Sequence, residues 1–179
     1  WAIGVMNEGN VVADFDSDLI GNGSHADLKA VALSSGRQVQ GIDTRVTNYG
    51  CNSIGNILQH GVILEKATLT FNGIGHIIKG AKGADAQQES RVLMLSDQAR
   101  SDANPILLID ENDVTAGHAA SIGQVDPEDM YYLMSRGLDK ATAERLVVRG
   151  FLGSVIVEIP VKEVRDEMIA TIEEKLSKR

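Results

Sequence analysis

Cysteine is nearly missing from this sequence. Cys51 is the sole one in 179 residues. That excludes an internal disulfide framework, fits a reducing cytosol, and excludes a zinc or iron–sulfur site built from several cysteines of this chain alone. Aromatic residues are scarce at 4%, and proline occurs three times. Positive charge is outweighed, with 17 Lys and Arg against 25 Asp and Glu for a formal net charge of −8. Without a basic stripe, nucleic acid and anionic membranes are poor partners for this chain. Long apolar runs are missing as well. ILLI at 106–109 is typical of the longest, far short of the ~20 residues a spanning helix needs. The chain opens WAIGVMNEGN, with neither a basic n-region nor an apolar h-region, so no signal peptide is expected. Lacking an initial Met, it reads as a fragment of a longer protein. The length suffices for a proper core, as one domain or one domain with an appendage.

What is present falls into two compositions joined near residue 124. Residues 1–123 hold 15 of the 18 glycines and one proline, Pro105. This part reads as short strands between glycine-rich turns. Ala26–Leu33 alternates, with Leu28 and Ala30 facing one way and Lys29 and Val31 the other. Val39–Asn48 alternates more regularly, and Val62–Asn72 sets Leu64, Leu69 and Phe71 among polar neighbours. Val92–Leu95 and Ile106–Asp110 are compact apolar runs. Val114, Ala116, His118, Ala120 and Ile122 share one register. GNGS, SSGR, NYGCNS and NGIG stand between strands, and GADAQQES at 83–90 has the composition of a loop. Such spacing suggests a sandwich, a barrel or a solenoid. Scarce aromatics, small strand residues and Asn/Gly corners favour a parallel β-solenoid from about Val11 to Gly123.

Residues 124–179 read as helices. Asp126-Pro127-Glu128 supplies an N-cap, a proline at the first helical position and an acidic first turn. That helix is predicted to stop at Gly137. Asp139 caps a second helix, predicted to end at Gly150. Pro160 breaks the chain after SVIVEI. Val161, Val164, Met168, Ile169, Ile172 and Leu176 then recur at helical spacing, with Glu163, Arg165, Asp166, Glu173 and Lys175 on an opposite, solvated face.

His118 is the sharpest candidate for chemistry. It lies in a strand of small residues, where little would cover its ring; the competing reading is a satisfied histidine half buried beside Val114 and Ile122. Cys51 follows an Asn-Tyr-Gly turn, where a thiolate could bind iron or accept sulfur, and a small buried residue is the more economical reading. His25, His60 and His76 could line a surface with Glu65 or Asp43 if solenoid turns stacked them, or be scattered corner residues. GNGS and NGIG are not phosphate loops, since no Gly-Lys-Ser/Thr follows. Asp110, Glu111 and Asp113 lack the spacing of a calcium loop.

The segment NPILLIDENDVTAGHAASIGQVDPEDMYYLMSRGL at 104–138, with RGFLGSVIVEIP behind it, resembles the SufB/SufD family of iron–sulfur cluster assembly proteins. It resembles SufD-like members more than SufB-like ones. The resemblance is strongest from Gly41 to Pro160, including GIDTRVTNYG and KGADAQQESRVLMLSDQARSDANPILLI. It implies a right-handed parallel β-helix, residues 1–123, followed by a small helical domain, residues 124–179. It implies a non-enzymatic cytoplasmic scaffold that pairs with a SufB-like subunit through the β-helix and docks a SufC-like ATPase through residues 126–160. It implies that His118 contributes to a transient iron–sulfur cluster at a shared interface. SufB-like chains carry a cysteine just before the apolar strand, where this chain has SDAN at 101–104. Alone, the chain is expected to pair with itself through its last strands and to hold no cluster. Two rivals come from other classes: a β-helix acyltransferase-type enzyme using a surface histidine, and a structural homo-oligomer.

Overall fold

A computed structural model describes residues 1–177. Strands come first: β1 (Ala2–Val5), β2 (Val11–Leu19), β3 (His25–Ser34), β4 (Val39–Asn48), β5 (Ile54–Ile63), β6 (Thr68–Ile77), β7 (Asp85–Met94), β8 (Arg100–Ile109) and β9 (Thr115–Gln124). Helices follow: α1 (Pro127–Ser135), α2 (Lys140–Ile156) and α3 (Lys162–Ser177). Odd strands form one parallel sheet in the order β1-β3-β5-β7-β9, and even strands form a second in the order β2-β4-β6-β8. Each turn of chain therefore lays one strand on each sheet. The result is a parallel β-solenoid followed by three helices.

The register is continuous. Leu28 pairs with Ile57, Ile57 with Gln88 and Gln88 with His118, at steps of 29, 31 and 30 residues. Leu28, Ile42, Leu69 and Phe71 point inward and are fully buried. Polar side chains are enclosed among them. Buried Gln59 donates from Nε2 to Thr44 Oγ1 at 3.1 Å, and Ser90 Oγ donates to Gln59 Oε1 at 2.7 Å. Corners stack as well: Gly23 N–H donates to Cys51 O, Asn52 N–H to Lys82 O and Gly83 N–H to Asp113 O.

A second apolar cluster lies outside the solenoid. Val31, Leu33, Val62 and Leu64 pack against Val148, Leu152, Val155 and Ile156 of α2 and Met168, Ile172 and Leu176 of α3. This explains why α2 runs past Gly150, its predicted end. Leu152, Val155 and Ile156 bury one face against the sheet, and that burial outweighs the ~1 kcal/mol a helical glycine costs relative to alanine. Lys175 also departs from expectation. It is buried, and its Nζ donates to Asn7 O at 2.6 Å.

Three strand readings change. The predicted strand Val62–Asn72 is two strands with a corner at 64–67, where Glu65 takes φ 55°. GADAQQES is not a loop beyond Ala84, because β7 starts at Asp85. β1 lies ahead of the predicted start at Val11. The predicted helical segment 127–179 includes Lys178 and Arg179, which lie outside the described residues.

Candidate functional site

The solenoid ends at β8 and β9. Among the described residues, no strand pairs with the outer edge of either. Their inward side chains are thus a floor without a lid. Ala116, His118, Ala120 and Ile122 continue the inward rows of Ala86, Gln88, Ser90 and Val92, which are buried one turn below. His118 is exposed, as are Ala116 and Ala120. Ile109 and Ile122 remain 40% and 41% exposed. Ile106 and Leu108, on the outward face of β8, are also open. The mouth is therefore an apolar rim of small and branched residues around one imidazole.

Beneath His118 stands Gln88. Its Nε2 crosses the interior to donate to Ile106 O at 2.8 Å, while its buried Oε1 receives no hydrogen bond. Room for this side chain comes from Gly73 and Gly75. A Cβ at either would stand within 2.9 Å of the Gln88 amide. His118 itself has no hydrogen bond or ion pair among the described residues. The reading of it as a satisfied half-buried histidine does not match this placement.

The two uncovered edges differ. In β8, Arg100 N–H and Asp110 N–H donate to Ala67 O and Ile77 O. Even-numbered amides therefore face β6, and odd-numbered positions face the free edge. Pro105 places its missing N–H on that edge, at the middle of the strand, which blunts it against strand addition. In β9, Thr115 N–H donates to Ala84 O, so the amides of residues 116, 118, 120, 122 and 124 face outward. That edge is intact.

The other candidates are not brought together. His25 pairs with Asp27 at 3.1 Å, His76 with Asp110 at 3.0 Å, and His60 lies under α2. Cys51 sits in a corner, where its N–H is taken by Asn22 Oδ1 and its Sγ donates to Gly80 O at 3.4 Å. Glu111 plugs the same corner one turn on, accepting from the Asn112 and Gly80 amides beside Lys79. These contacts hold its pKa down to about 2. Among the described residues, no group of three or more His, Cys, Asp and Glu is placed to hold a metal ion. Among the described residues, one imidazole is what the mouth offers a metal.

A second exposed surface lies on the helices. In α1, capped by Asp126 and turned at Gly137 with φ 92°, no residue is buried. Tyr131, Tyr132 and Met134 are open, as is Leu146 on α2. No described helix is long and apolar enough to cross a membrane.

Parallel solenoid, open mouth and helical appendage together define a class, and sequence comparison agrees. The family model for "SUF system FeS cluster assembly, SufBD core domain" matches residues 1–151; this chain belongs to that family. It is 52% identical over 176 residues to the iron–sulfur cluster assembly protein SufD of Bacillus subtilis, covering 98% of this chain and 40% of that protein. A SufBD family protein of Mycobacterium tuberculosis is 46% identical over 97 residues, 54% of this chain and 24% of that protein. Another, from Mycobacterium bovis, is 32% identical over 142 residues, 78% of this chain and 17% of its own length. The chain thus spans less than half the length of these relatives.

Proposed function

We propose that this chain is part of a cytoplasmic, non-enzymatic scaffold for iron–sulfur cluster assembly, in which the solenoid (residues 1–123) and the helices (residues 124–179) serve different partners. The solenoid mouth pairs with a SufB-like subunit, and the cluster is cargo held between the two. His118 supplies one ligand, as neutral imidazole suits Fe(II), and the partner supplies the rest. Without that partner, the β9 edge pairs with a second copy of the chain. Residues 126–160 dock a SufC-like ATPase. The observation that carries this reading is an exposed imidazole in an inward register position, ringed by uncovered apolar side chains at an unpaired sheet edge. The support for ATPase docking is α1, a helix with no buried residue and with Tyr131, Tyr132 and Met134 exposed.

The test is cluster content of the anaerobically purified three-component complex. His118→Ala is expected to fold normally and to lose iron and sulfide, while Cys51→Ser retains both. Wild-type cluster content in His118→Ala overturns the assignment, and loss in Cys51→Ser moves the site to the corner. For the ATPase, point substitutions serve better than deleting residues 126–179, which would uncover Val31, Leu33, Val62 and Leu64. Tyr131→Ala with Met134→Ala is expected to abolish co-purification, and unchanged binding refutes the docking site. Sedimentation of the chain alone is expected to give a dimer at micromolar concentration; a monomer refutes the pairing of β9 edges.

A further inference from the structure

The joint between solenoid and helices holds a histidine for which the scaffold function has no use. His60 lies on the outward face of β5, beneath α2, and is 5% exposed. In the sheet its neighbours are Val31 on β3 and Arg91 on β7. Phe151 of α2 stacks on its ring with centroids 4.9 Å apart and an interplanar angle of 20°. Nδ1 lies 3.3 Å from Phe151 O. A carbonyl only accepts, so Nδ1 carries the hydrogen and Nε2 of the neutral ring is a bare lone pair. That Nε2 is buried, makes no hydrogen bond, and stands 3.6 Å from Glu89 Oε1. The carboxylate itself is engaged by Arg91 Nε at 2.6 Å. Leu58, Val62 and Phe151 in the same cluster are hydrocarbon, so packing alone would be served by another apolar side chain.

We propose that His60 is a proton-sensitive latch between the solenoid and α2. The neutral ring stacks and donates once to the helix backbone. The charged ring places a cation in a seam with little water, beside Arg91, where its one counter-ion is already shared. Burial is the first cause holding its pKa below the ordinary histidine value; the Phe151 carbonyl and Glu89 act the other way, and Arg91 acts with burial. The undocked ring thus takes up a proton more readily than the docked one. Docking is fully favoured above the ordinary histidine pKa and weakens as pH falls through it toward the depressed value. Other ion pairs at this joint join Lys29 to Glu158 and Arg149 to Glu173.

The experiment is amide exchange on the whole chain, corrected for intrinsic rates, between about pH 8 and about pH 5. Amides of α2 and α3 are expected to open several-fold more often at the acid end, while those of β4–β6 do not change. His60→Gln should remove that dependence. The same dependence in His60→Gln, or none in wild type, overturns the latch. Should His60→Gln fail to fold, NMR titration of the His60 ring decides: a value at or above ordinary histidine overturns the proposal, and a lower one supports it. Glu89→Gln should enlarge the opening at the acid end, because it removes the charge that favours the proton on the docked ring and widens the gap to the undocked one; a smaller dependence counts against the latch.

Discussion

Leu28 and His118 occupy the same register position three turns apart, one fully enclosed and the other open to solvent. Between them the row passes through Ile57 and Gln88, losing apolar character before it loses cover. What encloses a side chain here is the turn stacked above it, as much as its own chemistry. A row whose composition changes ahead of its exposure is adapted to ending at a surface.

Five substitutions, one of them read by acid titration, test this contrast between enclosed and open positions. Leu28→Ala should cost most, about 3–5 kcal/mol, because it opens a cavity among side chains with nowhere to collapse; urea denaturation measures it. Acid should next act on the corner. The Glu111 pKa of about 2 lies below its ordinary value, so its stabilising effect is full above that ordinary value and is lost as pH falls toward about 2. Glu111→Gln should flatten this part of the pH–stability curve, and an unchanged acid limb would remove Glu111 as its cause. Gln88→Ala should cost about 1–2 kcal/mol, the worth of one buried hydrogen bond plus some packing; a cost equal to that of Leu28→Ala would erase the contrast. His118→Ala should cost about 1 kcal/mol or less, and a larger loss would mean that the mouth is a packed core. Cys51→Ser should shift the midpoint least, since serine can donate to the same Gly80 carbonyl.

The helical half was largely legible in the sequence, because caps are local. Asp126, Pro127, Gly137 and Asp139 act where they were read to act, while the end of α2 was misplaced because its stop depends on a sheet far away in sequence. In the solenoid, Val39–Asn48 was readable from alternation alone. GADAQQES was not, since its inward residues, Ala86, Gln88 and Ser90, face a polar interior that only the stacked turns create. The corner inside Val62–Asn72 was hidden because it contains Leu64 and Ala67, both buried, rather than glycine or asparagine. His118 could be named as a candidate from the small residues around it. That little would cover its ring was read from those residues; that no described strand lies above it was not. His60 was grouped with His25 and His76, and no periodicity in the sequence places it under α2.

The stacking rule has a consequence for how the molecule comes apart. Each turn touches only the turns before and after it, and the helices fasten α2 chiefly to β3 and β5. Stability is then a sum of nearest-neighbour terms along one axis, and opening need not be all-or-none. Among the described residues, the last turn has a neighbour on one side and no helix packed across it as α2 packs on β3 and β5. It should fray first, so that a partner meets a mouth already partly loosened, and the affinity it measures includes the work of setting β8 and β9 in place.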